Sequence, residues 1–343
     1  MRTDGISTLN MSSLLRSTVM SAQSRLSIAQ IEVSTGRHSD MGLTLGTSVR
    51  TTIGLRGELD ELQQMIDGGK LAGIRAELTQ SAMDSISKIA SSFMSTLTGA
   101  RTATNGQALA RQAATAAMQS LRELLNTSYE GQYIFGGLNS QSPPIPDNAG
   151  GATVDDAFLA SFGMTQSDAA VSGISGGDMK AFLDGPFNDL FSPAGWSQNW
   201  TTASETGVLT RAGSFRTVDI SVSARNSGFA GIAQALTMAM SLGEDKLGDA
   251  AFEAIADKSL SLLGNAVIDI GAEQSRAGLA QSELKKAIDH MTIKSAALAK
   301  AVQSLESVDP FEAATRVTDL MNQLEISYTI TGRLSGLSLA KYI

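Results

Sequence analysis

The chain is 343 residues long and carries 26 Lys and Arg against 34 Asp and Glu, a formal charge of −8, with no cysteine. At roughly 150 residues per domain, the length suggests about two domains and ample core, while the acidic balance repels polyanions and argues against nucleic-acid binding. Without thiols there is no disulfide framework, thiol nucleophile or thiolate metal site, and a charged fraction of 17% argues against a highly charged disordered tail.

The first residues, Met1 to Thr8, hold no continuous apolar run, so a standard secretory signal is not expected. Beyond them, Leu15, Val19, Ala22, Leu26, Ala29 and Val33 alternate spacings of four and three. After a glycine-rich break, Gly36 to Gly46, the seam resumes at Leu55, Leu59, Leu62, Ile66, Gly69, Gly73 and Ala76. It passes through Gln80 to Met83, Ile86, Ala90, Phe93 and Leu97. Either Gly69 and Gly73 permit close approach at this seam, or Gly68-Gly69 breaks the helix. A shorter stretch reads Ala110, Ala114, Ala117, Leu121 and Leu124. Repeats averaging about 3.5 residues mark helices packed in coiled-coil fashion.

The middle is different. Five of the six prolines fall between Pro143 and Pro193, Trp196 and Trp200 lie just beyond, and most aromatic residues sit between Tyr133 and Phe229. Proline is excluded from helix interiors and aromatics anchor compact cores, so turns and short elements are expected here. Thr217 to Ser223 alternates with period two and reads as a strand. The most apolar stretch, Phe229 to Leu242, is interrupted by Gly231, Gln234 and Thr237 and is too short for a membrane span.

Three- and four-residue spacing then returns from Val267 through Ile270, Ala277, Leu284, Ile288, Met291, Leu298 and Val302 to Leu305, a helix roughly 57 Å long at about 1.5 Å per residue. Asp309-Pro310-Phe311-Glu312 marks a new helix: an N-cap acceptor, proline at the first position, and a carboxylate able to reach back. Past Leu324 its apolar residues spread over several faces, which calls for several neighbours. The expected fold is mainly α: a long antiparallel coiled-coil-like rod with a small α+β or β domain inserted at its far end. Boundaries are placed at 1–45 for an N-terminal assembly helix and turn, 46–138 and 233–306 for the arms, 139–232 for the outer domain and 307–343 for a C-terminal assembly helix.

Catalytic signatures are sparse. The two histidines, His38 and His290, form no H-E-x-x-H pair, and no phosphate-cradling glycine loop occurs. Gly173-Ile174-Ser175-Gly176-Gly177 fits the G-x-S-x-G pattern, but the preceding Asp168 to Ser172 makes a poor buried strand, so a glycine-rich loop is the expected reading. The chain is expected to be no enzyme and to hold no cofactor or metal. Apolar faces left uncovered at the arm ends are satisfied by copies of the same chain, and head-to-tail contact of that kind yields a filament or ring. Expected assembly residues are Leu15, Val19, Leu26, Val33, Val317, Leu320, Leu324, Tyr328, Leu334 and Leu337. A signalling or adhesive helical rod is the alternative outside the assembly class.

Four segments resemble the flagellin superfamily, and within it the hook–filament junction proteins of hook-associated type 3. Ser34-Thr35-Gly36-Arg37 resembles the S-[ST]-G-[KR] turn of that family. Gly131-Gln132-Tyr133-Ile134-Phe135-Gly136-Gly137 resembles its G-x-Y-[IL]-F-[AG]-G segment, which makes Tyr133, Phe135, Gly136 and Gly137 the passage from helical core to outer domain. Val308 to Ala314 is similar to the start of the last helix, and Leu324-Glu325-Ile326-Ser327-Tyr328 through Leu337-Ser338-Leu339 to its L-Q-A-S-Y…L-S-L end. His38 to Gly46 departs from the family's N-x-P-S-D-D-P-like run. The resemblance implies a structural flagellar subunit exported by the type III pathway without a cleaved signal and located outside the cell. Its implied partners are itself, hook-associated protein type 1, flagellin, an export chaperone and the export apparatus. A filament-forming flagellin is the alternative within the superfamily.

Overall fold

The computed structural model of the chain describes residues 5–147, 149–213 and 216–339, leaving the side chains of 5–12, 151–152, 244 and 334–339 outside the description. The chain divides into two compact units. One is built from its two ends, up to Gln63 and from Thr292 onward, and the other from Gln64–Met291. The fold is mainly α, with two small antiparallel sheets among the described residues. No helix among them is long and apolar enough to cross a membrane.

The first unit contains α1 (Gly5–Thr35), the short α2 (Met41–Leu45), the start of α3 (Val49–Ala100), the end of α10 (Asp249–Glu306) and α11 (Pro310–Leu339). α1 and α11 run antiparallel: Gln23 Nε2 donates to the Tyr328 hydroxyl at 2.6 Å, and Arg316 Nη1 donates to Glu32 at 3.1 Å. α11 starts where the cap signal places it, with Asp309 Oδ1 accepting from the Phe311 amide at 2.8 Å and from the Glu312 amide at 3.4 Å. Glu312 does not reach back to close a capping box. Its Oε1 accepts from Arg316 at 2.8 Å instead, a partner one turn on.

In the second unit the long helices carry the expected seam. Ala76, Met83, Ile86, Ala90, Phe93 and Leu97 of α3 are buried, as are Ile270, Ala277, Leu284 and Met291 of α10. Gln80 fills its seam position by donating from Nε2 to the Gln274 carbonyl at 2.8 Å. α3 continues unbroken through Gly68-Gly69. A Cβ on Gly69 would sit 3.0 Å from Ile288 Cγ1, so close approach is the reason for that glycine, whereas a Cβ on Gly73 would meet nothing within 4 Å. In α4 (Gly106–Leu125) the buried stripe runs Ala110, Ala114, Met118, Leu121 and Leu125. Met118 and Leu125 therefore replace the expected Ala117 and Leu124, because a straight helix at 3.6 residues per turn drifts off a 3.5-residue seam.

The middle is built mostly of short helices: α5 (Gly151–Phe162), α6 (Gly176–Asp184), α7 (Pro186–Asp189), α8 (Pro193–Asn199) and α9 (Ser227–Ser241). Pro186 and Pro193 open α7 and α8 at the first turn, where the missing N–H costs nothing. The expected strand Thr217–Ser223 is shorter than predicted. β4 (Thr217–Asp219) pairs with β3 (Leu209–Arg211), after which Asp219 Oδ1 accepts from both the amide and the hydroxyl of Ser221, turning the chain out of the ladder. A second hairpin pairs β1 (Ser128–Tyr129) with β2 (Gln132–Tyr133) across Glu130 and Gly131, both at positive φ.

An aromatic row runs through this core: Phe158 meets Phe182 at 5.8 Å, Phe182 meets Phe187 at 5.7 Å, and Phe191 meets Trp200 at 4.5 Å. Asn126, just past α4, ties the proline-rich loop by donating to the Ile145 carbonyl at 2.8 Å and accepting from its amide at 2.9 Å. Replacing Asn126 with Ala leaves both main-chain groups of Ile145 in search of partners. The expected cost is about 1–2 kcal/mol, read as a lower midpoint in thermal or urea unfolding of the full chain.

Candidate assembly surface

α1 and α11 meet through a narrow seam of small residues flanked by larger ones. Ala22 and Ala29 of α1 and Ala313, Leu320 and Leu324 of α11 are buried, and Leu15, Val19, Leu26 and Val317 are half-buried along it. Val33 departs from the expected seam: it is exposed, and the buried position at that level is Glu32. Tyr328 is exposed at the seam edge with its hydroxyl held by Gln23. Leu334 and Leu337 lie in α11, but their side chains are outside the described residues.

Each helix thus covers one stripe of the other and leaves a second apolar stripe open. At about 100° per residue, Met20, Ile28 and Ile31 fall on the half of α1 opposite Ala22, Leu26 and Ala29, with Leu14 at its edge. Phe311, Ile326 and Ile330 likewise fall opposite Ala313, Leu320 and Leu324 on α11. All of these are exposed; Phe311 is 85% accessible and Leu14 67%. A helix apolar on opposite faces needs a neighbour on each.

The turn between α1 and α2 is locked by two buried carboxylates. Gly36 at positive φ ends α1, its amide returning to the Glu32 carbonyl at 2.9 Å. The Glu32 side chain accepts from the Ser39 amide at 3.1 Å and from Arg316 at 3.1 Å, with His38 Nδ1 at 3.8 Å. The Glu306 side chain is 1% exposed; its Oε2 accepts from Arg56 Nη2 at 2.7 Å and lies 3.7 Å from Arg37. Arg37 and Ser307 form an antiparallel bridge, and the His38 amide donates to the Glu306 carbonyl at 3.0 Å. The Ser-Thr-Gly-Arg turn is thereby knitted to the segment before α11.

The hydrogen bond and the Coulomb attraction of Glu306 raise the Arg56 pKa above its ordinary value, against a smaller desolvation effect. A raised cation contributes stability below its unfolded pKa and loses it only as pH rises through the folded one, so this contribution persists across the neutral range. Sequence reading missed these carboxylates although a signal existed: Glu32 lies three residues after Ala29, and Glu306 four after Val302. A charge at a seam spacing demands a partner.

The glycine-aromatic segment is equally determined. Phe135 is fully buried and meets Phe229 edge-on at 5.5 Å, while its carbonyl accepts from the Ala224 amide at 2.9 Å. The Gly136 carbonyl accepts from the Ser204 amide at 3.0 Å, and the Leu138 amide donates to the Thr206 carbonyl at 3.2 Å. Gly137 adopts φ +60°, and a Cβ there would fall 2.7 Å from the Ser204 carbonyl oxygen. Tyr133 is half-buried in β2. The Ser175 of the G-x-S-x-G match caps α6: its Oγ accepts from the Asp178 amide at 3.1 Å and donates to the Asp178 carboxylate at 2.7 Å. That capping accounts for the motif, and His290, the histidine that follows it in the chain, is exposed on α10. No group of three carboxylates and histidines is placed to hold a metal ion among the described residues.

Replacing Gly137 with Ala combines an unfavourable φ with a main-chain clash, and a loss of more than about 1 kcal/mol is expected in chemical unfolding. Arg56→Met leaves the buried Glu306 carboxylate with only the more distant, more exposed Arg37 at 3.7 Å. Breaking a fully buried pair costs about 3–5 kcal/mol; with Arg56 half-exposed, about 1–2 kcal/mol is expected. A double variant with Glu306→Gln should recover part of it.

Residues 6–140 match the model of the bacterial flagellin N-terminal helical region, and residues 260–343 match that of the bacterial flagellin C-terminal helical region. Among solved structures, the chain is similar to that of a flagellar hook-associated protein from Vibrio parahaemolyticus. The two share 10% identity and a TM-score of 0.51, over 76% of this chain and 97% of that one, a likeness of fold. No curated protein sequence matches the chain. Helical regions at both ends of the sequence match one family of structural proteins, so the chain belongs to the flagellin superfamily and is a structural subunit of the bacterial flagellum.

Proposed function

We propose that the chain is a hook–filament junction subunit, which joins a hook-associated protein to the flagellin filament through helical assembly of α1 and α11. The observation that carries the assembly reading is the pair of open apolar stripes, Met20 to Ile31 on α1 and Phe311 to Ile330 on α11, on the sides away from their shared seam. Stripes on both helices favour head-to-tail packing with copies of the chain above and below, a geometry that generates a ring or a helical stack. The junction role, rather than filament formation, is supported by the Gly131–Gly137 segment and by the hook-associated description of the structural neighbour.

On this reading the subunit is exported through the flagellar type III pathway, held by an export chaperone, and assembled outside the cell between hook-associated protein type 1 and flagellin. Its terminal helices would acquire order as neighbours arrive, with folding and assembly sharing one free-energy change. Leu15, Val19, Leu26, Val317, Leu320 and Leu324 serve assembly by holding α1 to α11 so that both open stripes face outward, Val33, Tyr328, Leu334 and Leu337 are proposed to join them on the same two helices, and Tyr133, Phe135, Gly136 and Gly137 form the passage to the outer domain.

Deletion of the gene separates junction protein from flagellin. Cells lacking a junction protein keep their hooks and shed intact flagellin into the medium, whereas loss of a major flagellin leaves the medium without it. Leu324→Arg and Leu26→Asp place a charge in the α1–α11 seam and are expected to abolish incorporation and swimming, with the Gln64–Met291 unit retaining its tryptophan environment. Normal swimming by either variant would count against the reading.

A further inference from the structure

The chain contains one Asn-Gly pair, Asn105-Gly106, and it stands at the turn between α3 and α4. Sterics fix the glycine. A Cβ on Gly106 would fall 1.8 Å from the Ala100 carbonyl oxygen and 2.8 Å from the carbonyl carbon, so any side chain there would force the main chain apart. The asparagine ahead of it is exposed, and its side chain makes no capping hydrogen bond to α4. Its φ of −112° and ψ of 29° lie away from the extended backbone of an ordinary N-cap, which keeps the carboxamide off the amides of the first turn.

Such a pair is reactive in an open chain. Glycine has no side chain to hinder its amide nitrogen, so that nitrogen can attack Asn105 Cγ and close a five-membered imide. The bond from Gly106 N to Asn105 Cγ forms, the Cγ–Nδ2 bond breaks, and the proton lost from Gly106 N leaves with Nδ2 as ammonia. Water then opens the imide at either carbonyl, giving aspartate or an isoaspartate whose main chain runs through the former side chain. The fold opposes the first step. Gly106 is buried, and its N–H donates to the Ala103 carbonyl at 3.0 Å, so the attacking nitrogen keeps its proton and is shielded from hydroxide.

We infer that Asn105 is a deamidation site gated by the α3–α4 turn, protected while the turn is formed and reactive whenever it is open. The steric demand for glycine at 106 makes the site unavoidable for this turn, and the Gly106–Ala103 hydrogen bond makes it conditional. The two products act in opposite directions. Aspartate places a negative charge at the N-terminus of α4, where the helix dipole favours it. Isoaspartate lengthens the main chain by one methylene directly before a residue packed against Ala100, and so unseats the start of α4. The inference is independent of the assembly reading.

Trypsin, cutting after Arg101 and Arg111, isolates the site as the peptide Thr102 to Arg111. Full-length protein is held at mildly alkaline pH in buffer and in concentrated guanidinium chloride, then digested. The peptide is read by mass spectrometry for the amide-to-acid mass gain and by chromatography for its aspartate and isoaspartate forms. Conversion is expected to be at least about tenfold faster in denaturant, because in buffer it waits on local opening of the turn. Asn105→Asp, the aspartate product in pure form, should raise the thermal midpoint of the full chain, and refolded material carrying isoaspartate should melt lower. Equal rates in buffer and denaturant, an unconverted peptide in both, or either midpoint moving the other way would overturn the proposal.

Discussion

Two helices in contact can each cover only one stripe of the other, and the pairing of α1 with α11 is built under that limit. Its centre is made of Ala22, Ala29 and Ala313, which lets the backbones approach, with Leu320 and Leu324 closing the remaining gaps. This contact removes little apolar area per turn compared with an aromatic or leucine-rich core. At about 25 cal/mol per Å², further gain is left to Leu14, Ile28, Ile31, Phe311, Ile326 and Ile330, which remain open. A further neighbour that covers them adds burial which the partner helix leaves unmade. That is the energetic condition for order to accompany proposed assembly.

The buried carboxylates supply what an alanine seam lacks, a fixed register. Alanines at heptad spacing tolerate a shift of one repeat, since the next alanine serves nearly as well. Glu32 does not: a shift along α11 would take it from Arg316 and leave an ion in an apolar contact. Glu306 imposes a matching condition through Arg56 on α3 and through the bridge from Arg37 to Ser307. Such pairs add little net stability over an apolar replacement and gain their effect by penalising wrong arrangements. Their position at the chain turns, where two helix ends must be aligned, fits that role.

Periodicity made much of the helical framework legible, because each seam residue of α3 and α10 contributes to one repeating pattern. The drift from Ala117 to Met118 and from Leu124 to Leu125 shows where such a pattern loses resolution: an error of one residue is invisible in spacing yet decides which side chain is buried. The cap at Asp309-Pro310 was readable as local chemistry; the fate of Glu312 was not, since it depends on Arg316 competing for the same carboxylate. Thr217 to Ser223 alternates along its whole length, but a strand also needs a partner, and Asp219 withdraws the chain from β3 before the alternation ends.

The glycine-aromatic segment joins both kinds of information. Glycine at 131 allows the tight β1–β2 turn, and glycine at 137 allows φ +60° against the Ser204 and Thr206 carbonyls, so each is demanded by backbone geometry. Phe135 between them is demanded by packing: its ring meets Phe229 while its main chain bonds to Ala224. The segment therefore fastens the end of the β1–β2 hairpin to two separate downstream stretches, 204–206 and 224–229, at once. A flexible linker would leave those stretches independent of the helices that precede them. Here the chain enters its middle region through a point fixed by sterics on both sides of one buried aromatic ring, which is the arrangement required if load is to pass through the subunit without unravelling it.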